Sequence, residues 1–359
     1  FIFLTDGISK LSSNLNFSKT NSDLTKNLFI LCFYPIRYYF YKRVHMSKKI
    51  LIIGSGIAGI SSSLKLKSYG LESTIIDKGN FIGGRIGTRD FKIEDKSNYF
   101  FHGAQFFTAK SDNFQKVIQN GINKKYIKKY GNFSPPRYRG FKSMRDFLIN
   151  LSQNLNVTQN VKVTHLKPFN EKISVLNDKS SIWKTYDGVI STIPAPQNLD
   201  LMTKFPTLKT TLKTSSYDAC IALMFSFDKE PKNIPHFFDY YKKQSILSWM
   251  AAGSNLRFWT AHAQGAFSNI SLNKDKVLIK NEIFSEIEKI IYPFEKNVKI
   301  SFHSLHIWKY AKVKEVCSGP QIDPKFPIAV AGDFMEGPNV ESAFISGEKA
   351  ADLIFKRLN

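Results

Sequence analysis

Three glycines stand at GxGxxG spacing in "IIGSGIAGI", namely Gly54, Gly56 and Gly59, and Asp77 follows them downstream. In this pattern the first glycine permits a tight turn, the second lets backbone approach a diphosphate, and the third lets a helix pack closely on a strand. An acidic residue about twenty positions further on accepts the ribose hydroxyls of an adenosine and disfavours a 2′-phosphate. The chemistry that these residues predict is the binding of a dinucleotide such as NAD or FAD.

Secondary structure with the right order surrounds the glycines. Ile50 to Ile53 is a continuous aliphatic run, which is typical of a strand buried on both faces. The following segment predicts a helix that ends near Tyr69 and directs its N-terminus at the phosphates. A second apolar strand, Ser73 to Ile76, ends in Asp77. We therefore interpret this region as the start of a Rossmann-type α/β fold.

A second motif, "GGRIGTR", begins at Gly83. Gly83 and Gly84 allow backbone to come close to a ligand, and Arg85 brings a fixed positive charge near the same phosphates. The motif resembles the GGRxxT signature of the large flavoprotein group that includes the amine oxidases. In that group FAD remains bound and crosses the domain, so the resemblance favours FAD over a dissociable nicotinamide cofactor.

A cofactor of that length needs a second anchor far along the chain. Ile328 to Ala331 predicts a buried strand that ends at Gly332 and Asp333. In the flavoprotein group a Gly-Asp pair here meets the ribityl and phosphate region. The helix predicted next has its N-terminus near Asn339 to Glu341, and its dipole would stabilise the negative charge of reduced flavin.

The middle of the chain supplies further strands. A strand is predicted at Val161 to Val163, a hairpin through Asn177-Asp178, and a buried strand at Val189 to Ile193. The resemblance implies that backbone near Val163 contacts the adenine and that these strands form a small meander beside the Rossmann sheet.

Several segments resemble one narrower family, the bacterial renalase-like FAD oxidoreductases. Besides "GGRIGTR", they are "HGAQFFTAK" (102–110), "GFKSM" (140–144), "DGVISTIPAPQ" (187–197), "LSWMAA" (247–252), "WTAHA" (259–263), "HIWKYA" (306–311) and "AGDFMEGPNVESAFISG" (331–347). The resemblance implies oxidation of the 2- and 6-dihydro isomers of NAD(P)H to NAD(P)⁺, with the hydride passing to flavin and dioxygen giving hydrogen peroxide. Two positions depart from the family: Phe101 replaces an acidic residue, and "GSNLRF" replaces a Lys-Pro-Gly-Arg-like run, leaving Arg257.

Hydride transfer to a flavin needs a substrate carbon held against the ring with water excluded, and it needs no strong acid or base. We therefore expect aromatic and polar side chains at the reacting centre. The candidate catalytic residues are Gln105, His262, Trp249 and Trp308, with Trp259, His306 and Tyr310 nearby in the same strand-like segments. The candidate cofactor-binding residues are Gly54, Gly56, Ile57, Ala58, Gly59, Asp77, Lys78, Gly84, Arg85, Gln105, Val163, Gly332, Asp333 and Val340. The alternative for each tryptophan is core packing, and for each histidine a satisfied structural position.

Bulk properties set the limits. The 359 residues carry a net charge of +22, which is almost all scattered lysine, so we expect no nucleic-acid partner but a field that attracts anionic small molecules. The 3 cysteines form no CxxC pair, so no metal site is predicted and a reducing, cytoplasmic location fits. The apolar run near Pro35 is too short for stable membrane insertion.

The predicted architecture is an α/β fold: a Rossmann-type FAD domain of the glutathione reductase and amine oxidase type, with an inserted mixed-sheet substrate domain. The FAD domain comprises residues 46–95, 141–200 and 319–359, and the substrate domain residues 96–140 and 201–318. Residues 1–45 are interpreted as an extension upstream of Met46 that is disordered or absent from the mature protein, and an organelle transit peptide is the alternative.

Two alternatives to the renalase-like activity stay open. One is an oxidase of amines or polyamines, although a strongly basic protein is an awkward host for cationic substrates. The other is a non-catalytic member of the fold that binds a protein partner, as Rab GDP-dissociation inhibitors do.

Overall fold

The structure, a computed structural model, describes residues 48–93, 96–240, 245–253 and 255–359. The predicted extension at residues 1–45 and Cys32 lie outside the described residues. The strands are β1 (Ile50–Ile53), β2 (Ser73–Ile76), β3 (Arg89–Ile93), β4 (Lys96–Phe100), β5 (Ile127–Lys129), β6 (Tyr138–Gly140), β7 (Asn156–Thr158), β8 (Val163–Phe169), β9 (Lys172–Asn177), β10 (Ser180–Tyr186), β11 (Gly188–Ser191), β12 (Ser216–Phe227), β13 (Phe237–Asp239), β14 (Leu247–Ala252), β15 (Phe258–Ala263), β16 (Ile300–Glu315) and β17 (Ile328–Val330). The helices are α1 (Ile57–Ser68), α2 (Asp112–Asn123), α3 (Met144–Ser152), α4 (Ala195–Leu201), α5 (Pro206–Lys213), α6 (Gly265–Ile270), α7 (Lys276–Ile291), α8 (Asp333–Glu336) and α9 (Val340–Leu358).

A parallel sheet of five strands, in the order β17-β11-β1-β2-β7, carries the predicted dinucleotide motif. Strands β1, β11 and β17 are buried at every position because both faces of the sheet are covered there, whereas the edge strand β7 is polar and largely exposed. Ile50 and Ile52 pack with helices α1 and α9, whereas Leu51 and Ile53 pack with residues of the meander and of α4 and α5. The predicted Rossmann-type arrangement is therefore present.

The ends of several elements differ from the sequence prediction. The strand predicted at Val161 to Val163 begins only at Val163, because the Val161 amide is turned away to the Asp77 carbonyl at 2.9 Å. The strand predicted to reach Ile193 ends at Ser191. The side-chain hydroxyl of the next residue, Thr192, donates to the carbonyls of Ile53 and Gly54. Strands β8, β9 and β10 form the predicted meander, a three-stranded antiparallel sheet.

A second five-stranded sheet, in the order β13-β14-β15-β12-β16, forms from the later part of the chain. Its pairs are antiparallel, where we had expected a mixed sheet. Helix α7 covers one face with Ile279, Ile283 and Ile287, which recur at helical spacing and form an apolar stripe. The predicted α/β class is confirmed, and the exact domain boundaries stay a prediction.

No helix in the described ranges combines the length and the apolar character that crossing a membrane demands.

Candidate functional site

A cavity of about 2180 Å³ lies where four parallel strands end. Gly54, Asp77, Thr192 and Gly332 line it, and each stands within two residues of the carboxyl end of its strand. In open α/β sheets this crevice is the usual place for ligands. The cavity exceeds the roughly 300–1,000 Å³ of a site for one small ligand, so it has room for a dinucleotide and a second molecule.

In the glycine turn, residues 54–59, neighbouring atoms leave no room for a side chain at Gly54 and Gly59, whereas there is free space at Gly56. Gly54 has φ +107°, a conformation that side chains rarely adopt, and a Cβ on Gly59 would collide with the Gly54 carbonyl oxygen. Gly56, by contrast, has no protein atom within 4 Å of the place where a Cβ would stand. Gly56 also lines the cavity, as do Ile57 and Ala58 at the start of helix α1. A ligand diphosphate fits that space.

Asp77 braces the same turn. One of its carboxylate oxygens, Oδ2, accepts hydrogen bonds from the backbone amide of Ser55 at 2.6 Å and from the Ser55 hydroxyl at 2.8 Å. The other, Oδ1, accepts from the Gly79 amide at 2.7 Å and keeps capacity for one ribose hydroxyl. Lys78 and Val163 line the cavity beside it. The predicted adenosine-binding residues therefore lie together.

The two sequence-distant anchors meet directly. Arg85 donates two hydrogen bonds to Asp333, at 2.5 and 2.7 Å, and both residues line the cavity. Burial lowers the pKa of Arg85, but the charge of Asp333 and its hydrogen bonds outweigh that effect and the net pKa is raised. The sequence predicts Arg85 near the phosphates, but it does not predict the salt bridge between the Arg85 guanidinium and Asp333.

The start of helix α9 completes this part of the wall. Val340 lines the cavity together with Gly332, and Asn339 caps the helix by accepting a hydrogen bond from the Ser342 amide at 2.8 Å. Glu341, in the first turn, accepts from the amides of Lys110 and Ser111 and so ties the helix to the segment after "HGAQ".

The "HGAQ" segment links the dinucleotide side to the second sheet. The Ala104 amide donates to the Arg85 carbonyl at 2.8 Å, so the segment lies directly on the GGR motif. Gln105 is buried and its side-chain oxygen accepts a hydrogen bond from the Trp249 indole at 3.1 Å. Gln105, Arg137, Trp249, His262 and Trp308 all line the cavity, and we call this part of it the substrate chamber.

Three histidines, His102, His262 and His306, line the cavity together with Trp308. The carbonyl oxygen of His102 accepts from the Trp308 indole at 2.8 Å and lies 3.1 Å from His262 Nε2. The His102 ring stacks on the Trp308 ring with centroids 5.1 Å apart. The His306 ring packs edge-on against the His102 ring with centroids 5.0 Å apart.

Two of these histidines, His102 and His262, are neutral at neutral pH. Burial lowers the pKa of His102 to about 3, helped by the charges of His306 and Arg89. Burial also lowers the pKa of His262 to about 4, against the hydrogen bond to His102. Because neutral His262 donates through Nε2, its Nδ1 is an acceptor.

Some candidate residues lie elsewhere. Trp259 is fully buried in the core under helix α7, donates to the Leu256 carbonyl, and does not line the cavity, so its core-packing alternative holds. Arg257 donates to the Phe227 carbonyl at 3.1 Å and is also outside the cavity wall. Gly59 packs against the Gly54 carbonyl and is not part of the cavity wall, so its place among the cofactor-binding residues stays a prediction.

Sequence reasoning missed several charged residues of the cavity wall. They are Arg89, Arg137, Arg145 and Asp239. Apart from Arg89, at the end of "GGRIGTR", none belongs to a motif that we had singled out. Their proximity depends on pairing between distant segments.

Comparisons with known proteins agree with the fold. A family model described as an NAD(P)-binding Rossmann-like domain matches residues 52–120. The 4,4'-diaponeurosporene oxygenase of Staphylococcus haemolyticus (strain JCSC1435) is 46% identical over 39 residues, which are 11% of this chain and 8% of that protein. The cinnamate reductase of Clostridium sporogenes is 36% identical over 59 residues, which are 16% of this chain and 9% of the reductase. Each match thus covers less than a tenth of the curated relative.

Solved structures resemble almost the whole described fold. A protein of Exiguobacterium sp. 255-15 assigned as a protoporphyrinogen oxidase superposes with a TM-score of 0.66 at 11% identity, covering 85% of this chain and 98% of its own. A putrescine oxidase bound to putrescine gives a TM-score of 0.61 at 11% identity, covering 86% and 99%. At such identity the likeness shows the fold alone. The chain thus contains a Rossmann-like domain, and its fold is shared with these oxidase structures.

Proposed function

We propose that the protein is an FAD-dependent oxidoreductase. The observation that carries this proposal is that Gly56 and Asp333, from opposite ends of the described chain, line one continuous cavity. A cofactor as long as FAD spans two such anchors, whereas a mononucleotide needs only one. The relatives and structural neighbours, named as an oxygenase, a reductase and oxidases, support the same class.

In this proposal the cofactor lies along the wall in a fixed direction. The amides at the start of helix α1, with Gly56, hold the diphosphate, and Asp77 and Val163 hold the adenosine. Arg85 and Asp333 hold the ribityl and phosphate region, and the N-terminus of α9 at Val340 faces the flavin. The open space at Gly56 and the adjoining salt bridge fit this arrangement.

We further propose that the substrate is an aberrant dihydro isomer of NAD(P), as the sequence resemblance implies. When bound, FAD would accept a hydride from the dihydronicotinamide ring, leaving aromatic NAD(P)⁺, and dioxygen would take the electrons to give hydrogen peroxide. Trp249 and Trp308 offer flat surfaces for the ring. Neutral His262 and Gln105 orient it without adding charge, and the buried aromatic wall excludes water.

An amine substrate is the second candidate. Asp239 brings a carboxylate to the cavity wall beside Trp249, and an acid next to aromatic rings is a combination that holds an ammonium group. The putrescine oxidase among the structural neighbours favours the same alternative. Release of hydrogen peroxide with a panel of amines, and none with dihydronicotinamides, would establish it.

The test is anaerobic reduction of the bound flavin. Purified protein should lose its visible flavin absorbance when 2- or 6-dihydro-NAD(P) is added, and it should regain that absorbance in air. R257Q is a matched control, since it removes a positive charge outside the cavity wall and should react like the wild type. No bleaching with either isomer would remove the substrate proposal, and a colourless protein with no extractable flavin would remove the cofactor proposal.

We propose a reducing, cytoplasmic setting as well. Cys220 and Cys317 are both free in the described chain, which fits such a setting.

A further inference from the structure

The hairpin of β5 and β6 brings an arginine into an aromatic cluster at the substrate chamber. Tyr130 and Arg137 face each other across the hairpin, with the Tyr130 amide donating to the Arg137 carbonyl at 2.9 Å. The guanidinium carbon of Arg137 lies 3.9 Å from the ring centre of Phe133 and 4.1 Å from that of Phe106. It lies 5.3 Å from the ring of Trp249, which also lines the chamber. All three rings are within the distance at which a cation interacts with an aromatic face.

Polar atoms of this cluster lack hydrogen-bond partners. Arg137 Nη1, Arg139 Nη2 and Tyr130 Oη are buried, and none has a partner among the described residues. Buried polar groups in folded proteins nearly always have partners, so three such atoms on neighbouring residues point to a partner that is not part of the chain. Arg137 lines the cavity, so it is the member that a ligand can reach.

The charges around the cluster favour an anion. The guanidinium of Arg139 lies 3.5 Å from the Tyr130 ring centre. Among the described residues it hydrogen-bonds only the backbone carbonyls of Gln105 and Ala252. The salt bridges found among the described residues include neither Arg137 nor Arg139.

One acid opposes this charge. Asp239 is exposed, lines the cavity, and raises the pKa of Arg137, against the larger effect of burial that lowers it. Burial lowers the pKa of Arg139 to about 10, so this guanidinium also stays charged at neutral pH.

We propose that Arg137, held between Phe106 and Phe133, binds an oxyanion of the substrate and makes the chamber select anionic planar molecules over amines. This inference rests on the proposed flavin oxidoreductase function and names the charge class of its substrate. The fork of N–H donors on arginine matches the oxygens of a phosphate or a carboxylate. Trp249, next to Arg137, provides a flat surface for the planar part.

The experiment measures equilibrium binding of unreactive ligands through changes in the visible spectrum of the bound flavin. Nicotinamide mononucleotide and nicotinamide riboside share their ring and differ by one phosphate, and benzoate and benzamide make the same comparison for a carboxylate. Wild-type protein should bind the member that carries the phosphate or carboxylate, in one or both pairs, roughly 10-fold or more tightly than the member that lacks it. The pair that shows the larger ratio identifies the oxyanion.

Variants assign the preference to Arg137. R137Q should bring the ratio close to one, and R137K should keep a reduced ratio because it retains charge but loses the planar fork. R257Q removes one positive charge elsewhere and should keep the full ratio. D239N should raise the ratio, because it removes the acid that competes for Arg137.

Several results would overturn the inference. A wild-type ratio near one would exclude an anion site, and an unchanged ratio in R137Q would exclude this residue. If R137Q fails to retain flavin, R137K decides: a ratio equal to that of the wild type would overturn the role of the guanidinium. If neither dihydro isomer bleaches the flavin but the Arg137-dependent ratio persists, the proposed substrate fails while the anion site stands.

Discussion

The glycine turn and the substrate chamber are walls of one cavity, but they are built in different ways. The turn is shaped by its backbone: Gly54 and Gly59 allow close packing, Gly56 leaves free space at the cavity, and a helix begins at Ile57. The chamber uses side chains, such as Gln105, Trp249 and His262, from segments far apart in sequence. A backbone site is specified by a short motif, whereas a side-chain site depends on how distant strands pair.

This difference predicts different consequences of substitution. Changes in the glycine turn should remove the cofactor or the fold itself. Changes in the chamber should leave the flavin bound and alter stability, pH dependence or substrate preference.

The largest effect should come from G59A. Its methyl group would collide with the Gly54 carbonyl oxygen, and backbone cannot move aside cheaply. We expect a loss of about 3 kcal/mol in the free energy of unfolding, together with loss of flavin. Denaturant unfolding and the visible spectrum measure both.

G56A is the matched comparison for G59A. The space at Gly56 is empty of protein, so the fold should persist with its stability without ligand changed by less than about 0.5 kcal/mol. The methyl group should still keep a diphosphate away, so flavin affinity should fall at least about tenfold. Equal flavin content in G56A and wild type would show that no diphosphate lies there.

The next effect concerns the ion pair of Arg85 and Asp333. R85M leaves the Asp333 carboxylate, only 8% exposed, without its partner, whereas the Arg85 side chain is 29% exposed and partly solvated. We expect R85M to cost about 2 kcal/mol, less than a fully buried pair would. The double variant R85M/D333N should recover part of that loss, and strictly additive losses in the thermodynamic cycle would contradict the pairing.

A smaller effect concerns pH. His102 and His262 have folded pKa values of about 3 and about 4, below the ordinary 6.5, so the unfolded state binds protons first as pH falls. Their contribution to stability is therefore complete above pH 6.5 and is lost progressively between pH 6.5 and the folded values.

The variant H262Q isolates one histidine. Its unfolding free energy should fall less steeply than that of the wild type between about pH 6.5 and pH 4. Measuring chemical unfolding at several pH values gives the two slopes. Identical slopes would mean that His262 titrates normally in the folded protein.

W308F should have the smallest effect. It removes the indole hydrogen bond to the His102 carbonyl but keeps an aromatic ring against the His102 side chain. We expect about 1 kcal/mol of destabilisation with the flavin retained. Loss of flavin in W308F would instead mean that the chamber and the cofactor wall are one cooperative unit.

The glycine turn and the parallel sheet were predictable because each residue acts on its close neighbours. Gly54, Gly59 and the aliphatic strand at Ile50 need only local backbone and burial rules. Element ends were less predictable. Val161, for example, pairs with the loop after β2 instead of extending β8, and this depends on a tertiary hydrogen bond.

The chamber was predictable only in part. Trp259 and His262 are separated by three positions on one strand, so their side chains point to opposite faces of the sheet. Trp259 packs in the core, and His262 lines the cavity. That alternation could have excluded Trp259 in advance. Arg137 could not have been found, since only the pairing of β5 with β6 and the packing of Phe106 and Trp249 bring it to the cavity.

A crystal structure of the protein purified with its own cofactor would test the two-anchor site most directly. We predict density for one FAD per chain, with its diphosphate against Gly56 and its ribityl chain beside Asp333. Density for a nicotinamide dinucleotide that contacts only the Gly56 side, or an FAD that leaves Asp333 without contact, would contradict it.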